Sequence, residues 1–444
     1  SRRETGMAPK TRTVVVDNGG HTCKVGFAGE NDPRKLVPNL MAKAKNERKP
    51  FIGDQLDACT DFSGLQYRLS LEKGYPVNWE SQVEVWTRAF GPAVLGVNTA
   101  DCNLMLTTPP LCPPSILATL DEMVFEHFNF ASCCMMSSQV MSHNSLVQEL
   151  TSKGESVPCA TLVVDTGFSF SHAVPIFDNQ TLNFATRRLD AGGKLLTNHL
   201  KQVLSHRQWN VMDETHMIND VKEKACFVSR DMSRDLRLAA VKGSANKLRR
   251  DYVMPDYHTV HSGYLKPVAG EGEPAAEGAP ASDNAPGGKE PAPKRAKSRE
   301  PGRGGAGGSG ADEQVLTLGA ERFATPELLF RPSDIGLDQA GLAELVAQAV
   351  SATMPDLHEA LYSNVLLTGG NALFPGLKDR LEADLRQLAP IDYTVQVRTA
   401  ADPILAAWRG ASHFADGAFF ERSSVSREEY MEHGHAFVRQ VCHN

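Results

Sequence analysis

No CxxC pair occurs among the nine cysteines, and their odd number rules out complete pairing. Cys23, Cys59, Cys102, Cys112, Cys133, Cys134, Cys159, Cys226 and Cys442 are scattered. That pattern argues against a disulfide framework or a zinc site and for reduced thiols of the cytosol or nucleus. No apolar run reaches the roughly 20 residues that span a bilayer, and the stretch from Ser1 to Arg12 is polar rather than signal-like. A basic balance is missing too. The net charge of −7 argues against a body that is a general DNA-binding surface. Between Lys266 and Gln314 there is no aromatic residue and almost no large aliphatic one, so that stretch cannot build a core.

What remains is ordinary globular material. With 444 residues, 41% hydrophobic and 22% charged, the chain is long enough for two or more cores. Its most informative feature is a repeat. Thr13-Val14-Val15-Val16-Asp17-Asn18-Gly19-Gly20 and Thr161-Leu162-Val163-Val164-Asp165-Thr166-Gly167 are both β-branched runs ending in an Asp-Xaa-Gly turn. A buried strand is a rigid post, and a glycine turn at its tip lets backbone N–H groups converge on phosphate oxygens. The two tip carboxylates would hold hydrated Mg²⁺, which keeps most of its waters and takes one or two protein carboxylates. One such turn means little; two suggest half-domains facing one ligand. A third glycine turn follows the apolar run Asn364-Val365-Leu366-Leu367-Thr368-Gly369-Gly370. Beyond it Leu377, Leu381, Leu385 and Leu388 fall on one helical face, so a ligand can lie against this strand–turn–helix unit.

Elsewhere strand-like and helix-like segments alternate, which reads as an α/β protein of two lobes around a cleft. Val83, Trp86, Ala89 and Phe90 share one helical face, as do Leu342, Leu345, Val346 and Val350, and both sets are expected to pack in cores. The Gly/Ala/Pro/Glu/Ser-rich stretch reads as a flexible insertion between the strand-like segments Asp251-Tyr252-Val253-Met254-Pro255 and Val315-Leu316-Thr317-Leu318. Its span would reach about 40 Å as a random coil. It carries the basic cluster Pro293-Lys294-Arg295-Ala296-Lys297-Ser298-Arg299, which reads either as a nuclear-import or nucleic-acid element or as a solubilising tract.

These segments carry a family resemblance. The stretch from Asp17 through Lys24 to Glu30 resembles the first phosphate loop of actin. Val164-Asp165-Thr166-Gly167 with His172 resembles its second, and Thr368-Gly369-Gly370 with Phe374-Pro375-Gly376 its adenosine-side loop. The match keeps its order from about Thr13 to Trp408. It implies the actin-like two-lobed ATPase fold, duplicated ribonuclease H-like domains around a nucleotide cleft. Residues 13–155 and 406–444 would form lobe I and residues 156–405 lobe II, with a flexible stretch at 1–12 and the insertion at 267–313. The resemblance further implies ATP or ADP with Mg²⁺. Asp17, Asn18, Gly19, Gly20, Lys24, Asp165, Thr166, Gly167, Gly192 and Gly193 would bind the nucleotide, with Asp17 and Asp165 holding the metal through water. Lys222 and Glu223, in the segment Lys222-Glu223-Lys224-Ala225-Cys226, would border the adenine and ribose, and Gly369, Gly370 and Phe374 the adenosine.

The departures bear on mechanism. Gly20 stands where actin has a phosphate-contacting Ser, and His21 where it has Gly. Phe168 replaces an acidic residue of the second loop and Ser169 a glycine. The segment Ala131-Ser132-Cys133-Cys134-Met135-Met136 would occupy the helix that carries actin's water-orienting Gln, and Gln139 lies out of register with that position. Phosphoryl transfer depends on positioning, so hydrolysis is expected to be slow or absent, with no catalytic residue. Only a short polar stretch, Asn39 to Pro50, stands where actin carries the loop that grips the next subunit, which disfavours filaments.

Within the superfamily, Gly193-Lys194-Leu195-Leu196-Thr197-Asn198-His199-Leu200 and the run from Gln208 to His216 resemble a nuclear branch of the actin-related proteins. The runs from Lys73 to Trp79 and from Asn371 to Gly376 fit the same branch. That branch serves in SWR/SRCAP-type complexes, which replace an ordinary histone dimer of the nucleosome with one containing the Z-type variant. The implied partners are a Snf-family motor subunit, a zinc-finger HIT-type subunit and the nucleosome, with no membrane, in the nucleus, the cytoplasm being an open alternative. An active ATPase or phosphotransferase of the same superfold, such as a sugar kinase or heat-shock-type chaperone, and a filament-forming actin-like protein are the alternatives, because the fold alone hosts all three. If the basic cluster is an import signal, deleting Lys294 to Arg299 lowers nuclear accumulation in fluorescence imaging. Normal localisation would leave only the solubilising tract.

Overall fold

Val14, Val15 and Val16 are all fully buried because the strand Arg12–Asn18 lies in the interior of a six-stranded sheet covered on both faces. Val14 and Val16 point into the outer core of the first lobe, and Val15 into a layer between the lobes. This is why the strand reads as an unbroken apolar run rather than an alternation. Arg12–Asn18 pairs antiparallel with Thr22–Phe27 and parallel with Cys102–Thr108, placing Val16 opposite Val25 and Leu106. The second lobe repeats the plan. Ala160–Thr166 pairs antiparallel with Ser171–Phe177 and parallel with Val365–Thr368, with Leu162 and Val164 in the outer core and Val163 in the shared layer. The two Asp-Xaa-Gly turns therefore sit at equivalent strand tips.

The computed structural model describes residues 11–45, 48–241, 246–257, 260–267 and 313–442. The basic cluster from Lys294 to Arg299 lies outside them, as does the terminal stretch 1–10. The segments flanking the insertion are strands, Arg250–Val253 and Val315–Leu318, and they pair with each other antiparallel, Tyr252 opposite Leu316. All four of the expected positions Val83, Trp86, Ala89 and Phe90 lie on the helix Trp79–Phe90, with Val83 half-buried and the other three in the core. Leu342, Leu345, Val346 and Val350 line the buried face of Leu342–Ser351. Leu377, Leu381 and Leu385 are buried on the helix Leu377–Leu388, whose last leucine is exposed.

Two expectations change. Ala131 to Met136 is not helical: Ser132–Ser137 is a strand beside Cys102–Thr108. Cys133 and Met135 enter one core and Cys134 the shared layer, so burial on both faces hides the strand period. The stretch from Asn39 to Pro50 is not merely polar. It opens with the strand Leu40–Lys43, which pairs with Gln66–Leu69 and buries Leu40 and Ala42 in a small core of the first lobe.

The lobes are joined by two helices, Ser138–Lys153 and Ala406–Asp416, sandwiched between the sheets. Their backbones nearly touch: a Cβ at Gly410 would lie 1.8 Å from the Met141 carbonyl oxygen. Trp408, two residues earlier, is fully buried and donates its indole N–H to the Val15 carbonyl at 3.2 Å. That bond ties the helix to the strand that carries Asp17. Overpacking a filled interior typically costs 1–3 kcal/mol, so Gly410→Ala should destabilise the chain by about 2 kcal/mol or more in denaturant unfolding. An unchanged midpoint would refute the close helix contact.

Candidate functional site

Asp17 ends the strand Arg12–Asn18 and faces Lys24 across the hairpin, because the register places the two directly opposite. The Lys24 ammonium lies 2.8 Å from the Asp17 carboxylate, and both side chains are buried. Thr107, from the neighbouring parallel strand, donates its hydroxyl to the same carboxylate at 2.5 Å. Burying two charges is costly unless they are paired and hydrogen-bonded; here both conditions hold. The turn that follows is braced by amides. Asn18 donates to Gln82 at 3.1 Å, and Asn39 donates to Asn18 at 2.9 Å and to the Gly19 carbonyl at 2.9 Å. The Asn18 side chain is thus engaged with scaffold amides.

Asp165 occupies the matching tip in the second lobe. Its carboxyl is raised to about 6, chiefly because the walls of the cleft strip it of water, with the Asp17 charge adding to the effect. Gln139 counters this by donating to Asp165 at 2.8 Å. The expectation that the segment from Ala131 to Met136 occupies the helix at this site fails, and Gln139 reaches the cleft. With Ser132–Ser137 a strand, the helix begins at Ser138, and Gln139 points from its first turn into the cleft. Gln139 is 1% exposed and its amide is engaged at both ends, since Ser137 donates to its carbonyl oxygen at 2.9 Å.

A cavity of about 460 Å³ lies between these tips, and its walls are shared by both lobes. Asp17, Asn18, Gly19, Gly20, Lys24, Asp165, Gly167, Gly193, Lys222, Glu223, Gly369, Gly370 and Phe374 line it. Thr166 and Gly192 stand behind the wall. Thr166 is buried and donates to the Thr368 carbonyl at 3.0 Å. A Cβ at Gly192 would lie 2.6 Å from the Phe170 amide nitrogen. Gly369 has φ +88°, and a Cβ there would strike the Thr166 carbonyl at 2.5 Å and the Asp165 carboxylate at 2.6 Å, so only glycine fits between the two strand tips. Asn371 closes this corner by donating to the Gly167 carbonyl at 2.7 Å.

Lys222 is 5% exposed and donates to Asn219 at 2.8 Å and to Thr197 at 3.1 Å, while Glu223 beside it is exposed. Burial lowers the Lys222 pKa. His172 is fully buried behind the second loop, against Phe170 at 4.3 Å, and neither ring nitrogen has a hydrogen-bond partner among the described residues. Sequence reasoning missed Thr107, Gln139, Asn219 and Asn371 as lining residues. Only Asn371, one residue past Gly369-Gly370, carried a local signal. Among the described residues no group of three or more His, Cys, Asp and Glu could hold a metal ion.

The family model described as Actin matches residues 8–443. Curated relatives include a rice protein (Oryza sativa subsp. indica), 40% identical over 440 residues, covering 96% of this chain and 98% of the relative. One from Dictyostelium discoideum is 36% identical, covering 97% of this chain and 94% of the relative. Another, from Drosophila melanogaster, is 34% identical, covering 96% and 98%. All three are named actin-related protein 6. Duplicated sheets, facing Asp-Xaa-Gly turns and similarity along nearly the whole length agree: the chain belongs to the actin family.

Proposed function

We propose that this chain is a nucleotide-holding, non-catalytic subunit of a nuclear ATP-dependent remodelling complex that exchanges an ordinary histone dimer for one containing the Z-type variant. The observation that carries the nucleotide half is the convergence of Asp17 with Lys24 from one lobe and Asp165 from the other on one glycine-lined cavity. The donor set fits ATP or ADP with Mg²⁺. Asp17 and Asp165 would hold the ion through water, Lys24 would meet the phosphates, and Gly369, Gly370 and Phe374 would flank the adenosine opposite Lys222 and Glu223. Mg²⁺ supplies charge neutralisation of the phosphates. Such a ligand, touching both lobes, would stabilise the closed chain by about 2.7 kcal/mol at a hundredfold excess over its Kd.

The residues around the cavity support holding more than hydrolysis. Gln139 spends its amide on Asp165 and Ser137. Gly20 brings no hydroxyl to the first loop, and His172 is sealed behind the second. One observation favours the competing reading of an active ATPase: Gln139 does reach the cleft. Turnover decides between them. The non-catalytic reading expects ATP hydrolysis slower than about 10⁻³ per second, the order of an unassisted GTPase, and a faster rate that falls in Gln139→Ala would favour the enzyme.

The assembly half rests on similarity to relatives named actin-related protein 6. Its partners would be a Snf-family motor subunit, a zinc-finger HIT-type subunit and, through the complex, the nucleosome. We place it in the nucleus. A filament is not proposed, since Leu40–Lys43 is tied into a small sheet of its own lobe.

Two measurements test the reading. A tagged copy drawn from nuclear extract at moderate salt should bring down a Snf-family ATPase, a zinc-finger partner and the Z-type histone by mass spectrometry. Recovery of the chain alone, or with cytoskeletal proteins, would overturn the assembly half. Lys24→Ala should weaken ATP binding by tenfold or more in calorimetry. Unchanged affinity would sink the phosphate assignment.

A further inference from the structure

The ring of His21 comes from the first loop and that of Phe168 from the second, and they meet across the cleft with centroids 4.9 Å apart and planes 38° from parallel. Beneath them the loops touch: a Cβ at Gly20 would lie 2.6 Å from the Ser169 hydroxyl and 3.6 Å from the Phe168 ring. A second contact crosses the cleft further out. Phe62, in the first lobe between the small strands, stacks on His216 of the helix Thr215–Ala225 at 4.1 Å and 15°, with Tyr257 at 6.0 Å.

Neither contact is buried inside a core, although Phe62 packs on the edge of the small core around Leu40, Ala42, Leu56 and Leu65. His21 and His216 are exposed and Phe62 and Phe168 half-buried, while the lobes are already joined by the central helices. The His21 ring stands open to cleft solvent yet walled by both lobes. That enclosure, with Lys222, Lys24 and His216 as nearby like charges, lowers its pKa to about 4. At pH 7 it is a neutral aromatic ring, suited to packing on Phe168. The glycines around the cavity leave the interior open, so bulk is concentrated where the two loops close on each other. An occupant seated on both turns would be enclosed by that closure.

We propose that the His21–Phe168 pair is a gate on nucleotide release: a nucleotide held by the two loops leaves only after the rings part, with Phe62 on His216 as an outer bar. The gate rests on the nucleotide reading above and adds its kinetics: the ligand is retained by closure across the cleft as well as by contacts to its phosphates. Release then requires the lobes to separate locally at two aromatic contacts.

The test uses the full chain loaded with Mg²⁺ and N-methylanthraniloyl-ADP, chased with excess ADP and followed by fluorescence. His21→Ala and Phe168→Ala should each speed release by roughly threefold to tenfold, the worth of one aromatic pair. The double variant should be little faster than either single, because both truncations remove the same contact. Phe168→Tyr, which keeps the ring, should retain slow release, whereas Phe168→Leu, which keeps bulk without the ring, should release as fast as Phe168→Ala; slow release in Phe168→Leu would assign the effect to bulk at the turn and overturn the aromatic gate. Phe62→Ala should add its own acceleration independently. Thermal melting of each variant confirms that the fold is intact. Unchanged release in His21→Ala, Phe168→Ala and Phe62→Ala overturns the gate. A chain that never takes up the labelled ADP overturns instead the nucleotide reading beneath it.

Discussion

The close approach of Gly410 to the Met141 carbonyl sets the distance between the two helices of the central layer, and everything in the cleft depends on it. Each sheet rests on that layer through several strands, the leading one contributing Val15 in the first lobe and Val163 in the second. Asp17 lies two residues beyond Val15, and Asp165 two beyond Val163. The separation of the carboxylates is therefore inherited from helix packing, and Trp408 on Val15 transmits it by a hydrogen bond as well as by contact. A close-packed interior does not yield gradually, so the tips are held by rigid posts rather than by the loops themselves.

The polar groups at the cleft are largely engaged before any ligand arrives. Lys24 is paired with Asp17, Thr107 donates to the same carboxylate, Gln139 bridges Ser137 and Asp165, and Lys222 is held by Asn219 and Thr197. This satisfies buried polar atoms that would otherwise destabilise the fold. It also fixes their geometry in advance.

How much was legible in the sequence follows from range. The strand tips could be read because a β-branched run and a glycine turn are adjacent in the chain, and the helices because their apolar period lies within a dozen residues. Thirteen of the residues expected at the cleft line it. Thr107 and Asn219 could not be read, since they reach the site through a parallel neighbour and a helix face that no local pattern announces. Gln139 was misplaced for a different reason: Cys133, Cys134 and Met135 are buried on both faces, so the strand lost its alternation and the following helix its true start. The contact of His21 with Phe168 was also hidden, because it joins residues 147 positions apart whose meeting is decided by the central layer.

The pairing of Arg250–Val253 with Val315–Leu318 has a consequence for how this chain can vary. The same sheet holds a third strand, Tyr264–Leu265, on the other side of Arg250–Val253, so it already fixes both ends of the chain between Leu265 and Val315. The entropy of closing such a loop grows only logarithmically, about 0.6 kcal/mol for each doubling in length. That edge of the second lobe works as a port: sequence can be lengthened, shortened or recharged there while the spacing between Asp17 and Asp165 is untouched.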